Sequence, residues 1–128
     1  MPWTCTYNES LDAFLVKGSG TVTEGELIAG LRGRADALMR HPTARVFHDY
    51  TLVTDIKIPS ETVFKLAAED PGRKLPLRRA VLVSSPIVGG TVSFILSQNL
   101  QGELKIFYER SSALQWINEG LPSEKWIR

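Results

Sequence analysis

His48 and Asp49 stand side by side, and an imidazole beside a carboxylate is a frequent source of general acid–base chemistry. The segment around them, Arg45–Tyr50, reads as a strand, and successive strand residues point to opposite faces, so the two cannot act on one another. His48 is expected to pack on the sheet beneath a helix; a catalytic part for it would need a partner from another strand. Asp49, ending the strand, is placed either to cap loop amides or to face a partner. Cys5 is the sole cysteine. Flanked at i±2 by Trp3 and Tyr7, it reads as a buried, inert thiol, and neither an intrachain disulfide nor a multi-cysteine metal site can form. His41 and His48 fall in different elements and give no metal-ligand spacing, so no metal and no cofactor is expected.

Val88-Gly89-Gly90-Thr91 joins a strand to a helix, where phosphate-binding loops sit. Without Gly-x-Gly-x-x-Gly, or a Lys-Ser/Thr after a glycine-rich loop, its glycines read instead as room for a close approach to a neighbour. Arg73, Lys74, Arg78 and Arg79 form the one basic cluster. They lead into an apolar strand and lack interleaved aromatics, so they read as solvated strand ends rather than a nucleic-acid footprint.

The 128 residues carry 15 Lys+Arg and 14 Asp+Glu, a net charge of +1, and this balance argues against nucleic acid as a partner. With 43% hydrophobic and 23% charged residues the composition is globular, and the length suits one domain that buries somewhat under ~70% of its unfolded surface. The longest apolar runs, such as Ala13–Val16 and Ala80–Val83, have four residues, against the about 20 of a membrane span. Met1–Phe14 shows no basic region ahead of an apolar stretch, so no secretory signal is expected. The expectation is a cytoplasmic domain over 1–120 followed by a tail over 121–128, with no membrane insertion.

Trp3–Tyr7 alternates and predicts a strand; Asn8-Glu9-Ser10 turns into a second strand over Leu11–Lys17, closed by Gly18-Ser19-Gly20. Thr23 with Glu26 forms a capping box ahead of Leu27, Ile28, Leu31, Ala35, Leu38 and Met39 on one helical face, opposite Arg32, Asp36 and Arg40. His41-Pro42 closes that helix, His41 complementing its dipole. Strand Arg45–Tyr50 follows, then a helix capped by Ser60 with Val63, Phe64, Ala67 and Ala68 inward, and a turn at Asp70-Pro71-Gly72. Arg79–Ser84 holds the run expected of a strand buried on both faces. Thr91–Leu100 reads as a helix, Leu104–Tyr108 as a strand, and Ser111 as the cap of a last helix carrying Ala113, Leu114, Trp116 and Ile117. The order β-β-α-β-α-β-α-β-α predicts an α/β fold: a mainly parallel sheet of four or five strands with one antiparallel hairpin strand at its start.

Ligands of such sheets sit off the carboxyl ends of the strands. Here those ends offer Ser19 and Gly20, then Asp49, Tyr50 and Thr51, then Ser84 and Ser85, then Tyr108 and Glu109. The set is rich in hydroxyls and contains no evident catalytic pairing.

The order of elements and several stretches resemble the SpoIIAA-like proteins, relatives of the STAS domains of anti-sigma-factor antagonists and anion transporters. The resemblance runs through Gly20-x-Val22-Thr23-x-x-Glu26-Leu27, Arg45-Val46-Phe47-His48-Asp49, Arg79-Ala80-Val81-Leu82-Val83, and Phe107 followed by Ser112-Ala113-Leu114-x-Trp116-Ile117, spanning about residues 10–118. It implies helices packed on the sheet and a binding or regulatory role rather than catalysis. STAS domains of sigma-factor pathways are switched by phosphorylation in an Asp-Ser-Ser-Gly-like loop; Asp49-Tyr50-Thr51-Leu52-Val53-Thr54-Asp55 stands here instead, leaving Thr51 and Thr54 as weak substitutes. Members of this branch are also similar to CRAL-TRIO lipid-binding domains. Two functions are therefore expected in competition. One is a non-enzymatic protein-binding module, forming a homodimer or taking another protein, with Trp126 and Ile127 as contact residues if exposed. The other is a carrier of a small apolar ligand between the second and third helices, near Phe64, Ile87, Val88 and Phe94, with the crevice at Asp49, Thr51, Ser84, Ser85, Gly89 and Gly90 beside it.

Overall fold

The computed structural model describes residues 3–42, 44–69, 75–96 and 102–128. Five strands and four helices follow in the order β1 (Trp3–Asn8), β2 (Ala13–Thr23), α1 (Glu24–Arg40), β3 (Arg45–Lys57), α2 (Ser60–Glu69), β4 (Arg78–Val83), α3 (Pro86–Leu96), β5 (Glu103–Phe107) and α4 (Arg110–Ile117). A single 3₁₀ turn, Ser123–Lys125, comes near the end. The strands lie side by side in chain order; β1 runs antiparallel to β2 and every other pairing is parallel. This is the expected α/β sheet with its antiparallel opening hairpin. The hairpin turn is held by Asp12, whose φ of 47° is left-handed and whose carboxylate accepts a 2.7 Å hydrogen bond from the Tyr7 hydroxyl.

Right-handed crossovers between strands taken in one direction send the connecting helices to one face. On that covered face Leu38 of α1 and Val88 and Val92 of α3 pack with Phe14, Val16, Val46, Tyr50, Val81 and Val83, and α2 lies against α3. The other face has no crossover. It is covered by α4 and the chain's final residues, through Ala113, Ile117 and Ile127 against Ala13, Phe47, Ala80, Leu82 and Phe107. Beyond them Thr4, Thr6 and Lys17 stay exposed, as on the solvated face of a half-covered sheet. The apolar run Ala80–Val83 is buried on both faces as its sequence predicts.

Several boundaries differ from expectation for local reasons. Gly18-Ser19-Gly20 does not end β2: the strand bulges there, Gly20 taking a φ of 67° that suits glycine, and continues to Thr23. β3 runs seven residues past Tyr50, because its later residues pair with that continuation of β2. Helix α3 begins at Pro86 rather than Thr91, since Ser85 accepts from the Val88 amide and Pro86 takes the first turn, where it gives up no bonded N–H. Ser111 caps nothing; α4 starts at Arg110, with Glu109 in the cap position. Thr23 accepts from the Glu26 amide, making half of the predicted capping box.

Some side chains also face other ways. Met39 and Phe64 are exposed, not inward, and Ala68 is exposed too. Arg79 is buried rather than solvated, and Cys5 is half-buried. Arg78 lies 4.0 Å above the Trp116 ring and faces Glu103 and Glu119 at 3.6 and 3.9 Å. Asp70-Pro71-Gly72, Arg73, Lys74, and Asn99 and Leu100 lie outside the described residues, as do the side chains of Leu31, Arg32, Ala35, Val63 and Ala67.

Candidate functional site

Residues 45 to 50 alternate across β3, so His48 falls on the covered face and Asp49 on the other, and the sequence's exclusion of a His–Asp dyad holds. His48 is wholly buried, its Nδ1 2.8 Å from the Tyr50 hydroxyl two residues on along the same face. It is the packed histidine the strand pattern predicts.

Asp49 lies at the carboxyl end of the sheet and is fully engaged. Its Oδ1 accepts from the Thr51 amide at 3.1 Å and hydroxyl at 2.7 Å, and its Oδ2 accepts from Arg110 Nη2 at 2.6 Å. Burial alone would raise its pKa; the hydrogen bonds from Arg110 and Thr51, with the guanidinium charge, outweigh that and hold the carboxyl below its ordinary value. Asp49 does not end its strand, since β3 continues to Lys57; it bonds Thr51 within β3 rather than loop amides, and it ties the start of α4 to β3 through Arg110. Arg110 went unseen in the sequence because 61 residues separate it from Asp49. Thr51 is half-buried in this bond and Thr54 is exposed; both lie within β3, not in the loop where the resemblance places a phosphorylated residue.

Ser84 is exposed just beyond β4, and Ser85 is spent as the cap of α3. Gly89 and Gly90 lie inside α3, not in a strand-to-helix loop, so they form no phosphate cradle. For Gly89 the close-approach reading is borne out: a Cβ there would lie 2.8 Å from the Tyr108 hydroxyl oxygen and 3.2 Å from Val83 Cγ2. Gly90 faces open space.

The apolar candidates divide. Val88 belongs to the core. Phe64 and Phe94 come together across α2 and α3, their rings edge-to-face with centroids 5.8 Å apart, yet they are 54% and 44% exposed. Ile87, two turns before Phe94 on the same side of α3, is 84% exposed. These three make an apolar surface rather than the lining of a closed pocket. Among the described residues, no group of three or more His, Cys, Asp or Glu is placed to hold a metal, and no helix is long and apolar enough to cross a membrane.

At the opposite end of β3 is a cluster whose members stand too far apart in the chain for any local pattern to connect them. Arg45, 9% exposed, donates to Leu11 O at 2.6 Å, Lys125 O at 2.5 Å, Asn118 Oδ1 at 3.2 Å and Ile117 O at 3.5 Å. Asn118 in turn exchanges two hydrogen bonds with the Ile127 backbone, 2.7 and 2.8 Å. Ile127 is thereby core, 4% exposed, which overturns its expected place as a contact residue; Trp126 keeps an exposed ring, with its indole N–H donated to Leu121 O.

No family model matches the chain, and no curated protein sequence does. A solved structure does match: an uncharacterized protein from the DUF3478 family, with a SpoIIAA-like fold, from Shewanella loihica PV-4. It superposes with a TM-score of 0.56 over 90% of this chain and 93% of that one, at 16% identity. At that identity the likeness speaks for architecture alone: the chain has a SpoIIAA-like fold.

Proposed function

We propose that the chain is a non-enzymatic, STAS-like binding module that takes a protein partner on the outer surface of α2 and α3. The observation that carries this reading is the pairing of Phe64 and Phe94, two aromatic rings in mutual contact that remain about half exposed, beside the nearly bare Ile87. Grouped aromatic and aliphatic side chains left in water mark interaction surfaces, and Phe is enriched at the centres of such surfaces. The polar groups at the strand ends support the same view. Asp49 is committed to Arg110 and Thr51, Ser85 to α3, and His48 to the interior. A net charge of +1 leaves little long-range repulsion to oppose association.

Two measurements test the proposal. Native mass spectrometry of the purified chain should give its own mass or integer multiples of it. A photo-crosslinking residue in place of Ile87 should capture protein in cells, whereas the same residue in place of Gln115, on the far side of the sheet, should not. Equal capture from both positions overturns the reading. A reproducible excess mass that is lost on denaturation, and abolished by F64S/F94S, replaces the protein partner with a carried apolar ligand.

A further inference from the structure

The two edges of the sheet are built differently. β5, at one edge, is five residues long and alternates charge with apolar character: Glu103, Leu104, Lys105, Ile106, Phe107. Charged side chains on a short edge strand are a known guard against strand addition. β1, at the other edge, reads Trp3-Thr4-Cys5-Thr6-Tyr7-Asn8, with neither charge nor proline. Its outer side meets no strand among the described residues. It is also held ready in its extended form. It pairs with β2 over its whole length, and Tyr7 is fixed by the bond to Asp12 and by a stack on His41 with ring centroids 3.7 Å apart. Asn8 Oδ1 accepts from the Leu11 amide and closes the turn behind it.

We infer that the β1 edge is a self-association surface, pairing antiparallel with β1 of a second copy so that two five-stranded sheets become one. A second copy is the occupant that the chemistry favours. A twofold axis normal to the sheet at Cys5 keeps covered face with covered face and solvated face with solvated face. It sets each exposed Thr4 opposite Thr6 of the other copy, and Thr–Thr neighbours across antiparallel strands are favourable pairs. The strand brings no like charges together in doing so, which is what a self-complementary isologous contact requires. Six residues a side put this interface at the small end of specific interfaces, so reversible association on the order of micromolar is expected. The surface uses neither α2 nor α3, and its failure leaves the partner reading above untouched.

Sedimentation equilibrium over a wide concentration range, on the full chain, decides it. The wild type should pass reversibly from monomer to dimer. T4K/T6K places lysine opposite lysine twice and should weaken the dimer by about tenfold or more. Both sites are solvent-exposed, so circular dichroism should match the wild type; because Thr4 pairs with Lys17 of β2, the added lysine lowers the melting temperature slightly without unfolding the chain. T4K/T6E sets opposite charges across the same register and should restore the dimer. A wild type that stays monomeric, a T4K/T6K dimer of undiminished strength, or no recovery in T4K/T6E overturns the inference.

Discussion

Arg45 and Asp49 lie four residues apart on one face of one strand, and they hold the molecule in opposite ways. Asp49 sits at the carboxyl end of the sheet, where α/β proteins gather their ligands, and meets its opposite charge in Arg110, whose side chain is half in water. Arg45 sits at the other end, buried, and its partners are three carbonyl oxygens and an amide oxygen from three separate parts of the chain. Burial lowers the pKa of Arg45 while the charge of Asp12 raises it. A cation taken out of water and satisfied by neutral dipoles needs all of them at once, whereas an exposed ion pair at a rim contributes little. The region that invites a search for chemistry is thus the lightly held one, and the structural weight lies at the end where no ligand is sought.

That contrast is open to direct attack. Arg45→Ala should cost the most, about 3 kcal/mol of unfolding free energy by urea titration, because it strands several buried acceptors together. A loss no larger than that at Asp49 would break the comparison. Ile127→Ala should follow at about 2 kcal/mol, since Ile127 is a core residue although it is the second-last of the chain. Asp49→Asn should cost less than about 1 kcal/mol at neutral pH. Its clearer effect is on pH dependence. The folded Asp49 carboxyl titrates below its ordinary value, so its contribution is present above about pH 4 and is lost as pH falls through the folded pKa. The asparagine variant should therefore show a shallower acid limb in melting temperature. Tyr7→Phe should move least at neutral pH and should alter only the alkaline side. The bond to Asp12, followed by burial and the charges of Asp12 and Glu9, pushes the Tyr7 hydroxyl up to about 12. The stability linked to that raised value is present below the ordinary tyrosine pKa of about 10 and is lost as pH climbs through the folded one. Phenolate absorbance of the wild type should include a late step near the raised Tyr7 value, and that step should vanish in the variant.

Most of the architecture was legible because it rests on local rules. Alternation marked β1, the run Ala80–Val83 marked a strand buried on both faces, and the alternation of strands with helices marked a parallel sheet. The errors came where a local signal was outvoted by a neighbour. Gly18-Ser19-Gly20 looks like a terminator, yet β3 offers pairing partners that carry the strand through it. Gly89-Gly90 looks like a loop until Ser85 and Pro86 are read as a helix start. At the candidate site, the burial of His48 and its separation from Asp49 onto opposite faces followed from strand geometry, whereas the reading of Asp49 as a strand-end cap failed because β3 runs on to Lys57. Arg110, Asn118 and Ile127 could not be read, because their partners lie far away in sequence and nothing in a side chain's own neighbourhood announces them.

The order in which the strands stand side by side bears on how the molecule comes into being. Each strand after the first pair meets its predecessor across one crossover, so the sheet assembles from contacts of modest sequence separation. The ties at the Arg45 end are of another kind: Arg45 to Lys125 spans 80 residues, and the Lys125 ammonium to Ser10 O spans 115. They join both ends of the chain and can close only on a sheet already laid down. Weakening them is therefore expected to hasten unfolding more than it slows folding. Stopped-flow kinetics of Arg45→Ala should show the change in the unfolding limb, and the knot at Arg45 should govern the lifetime of the native state.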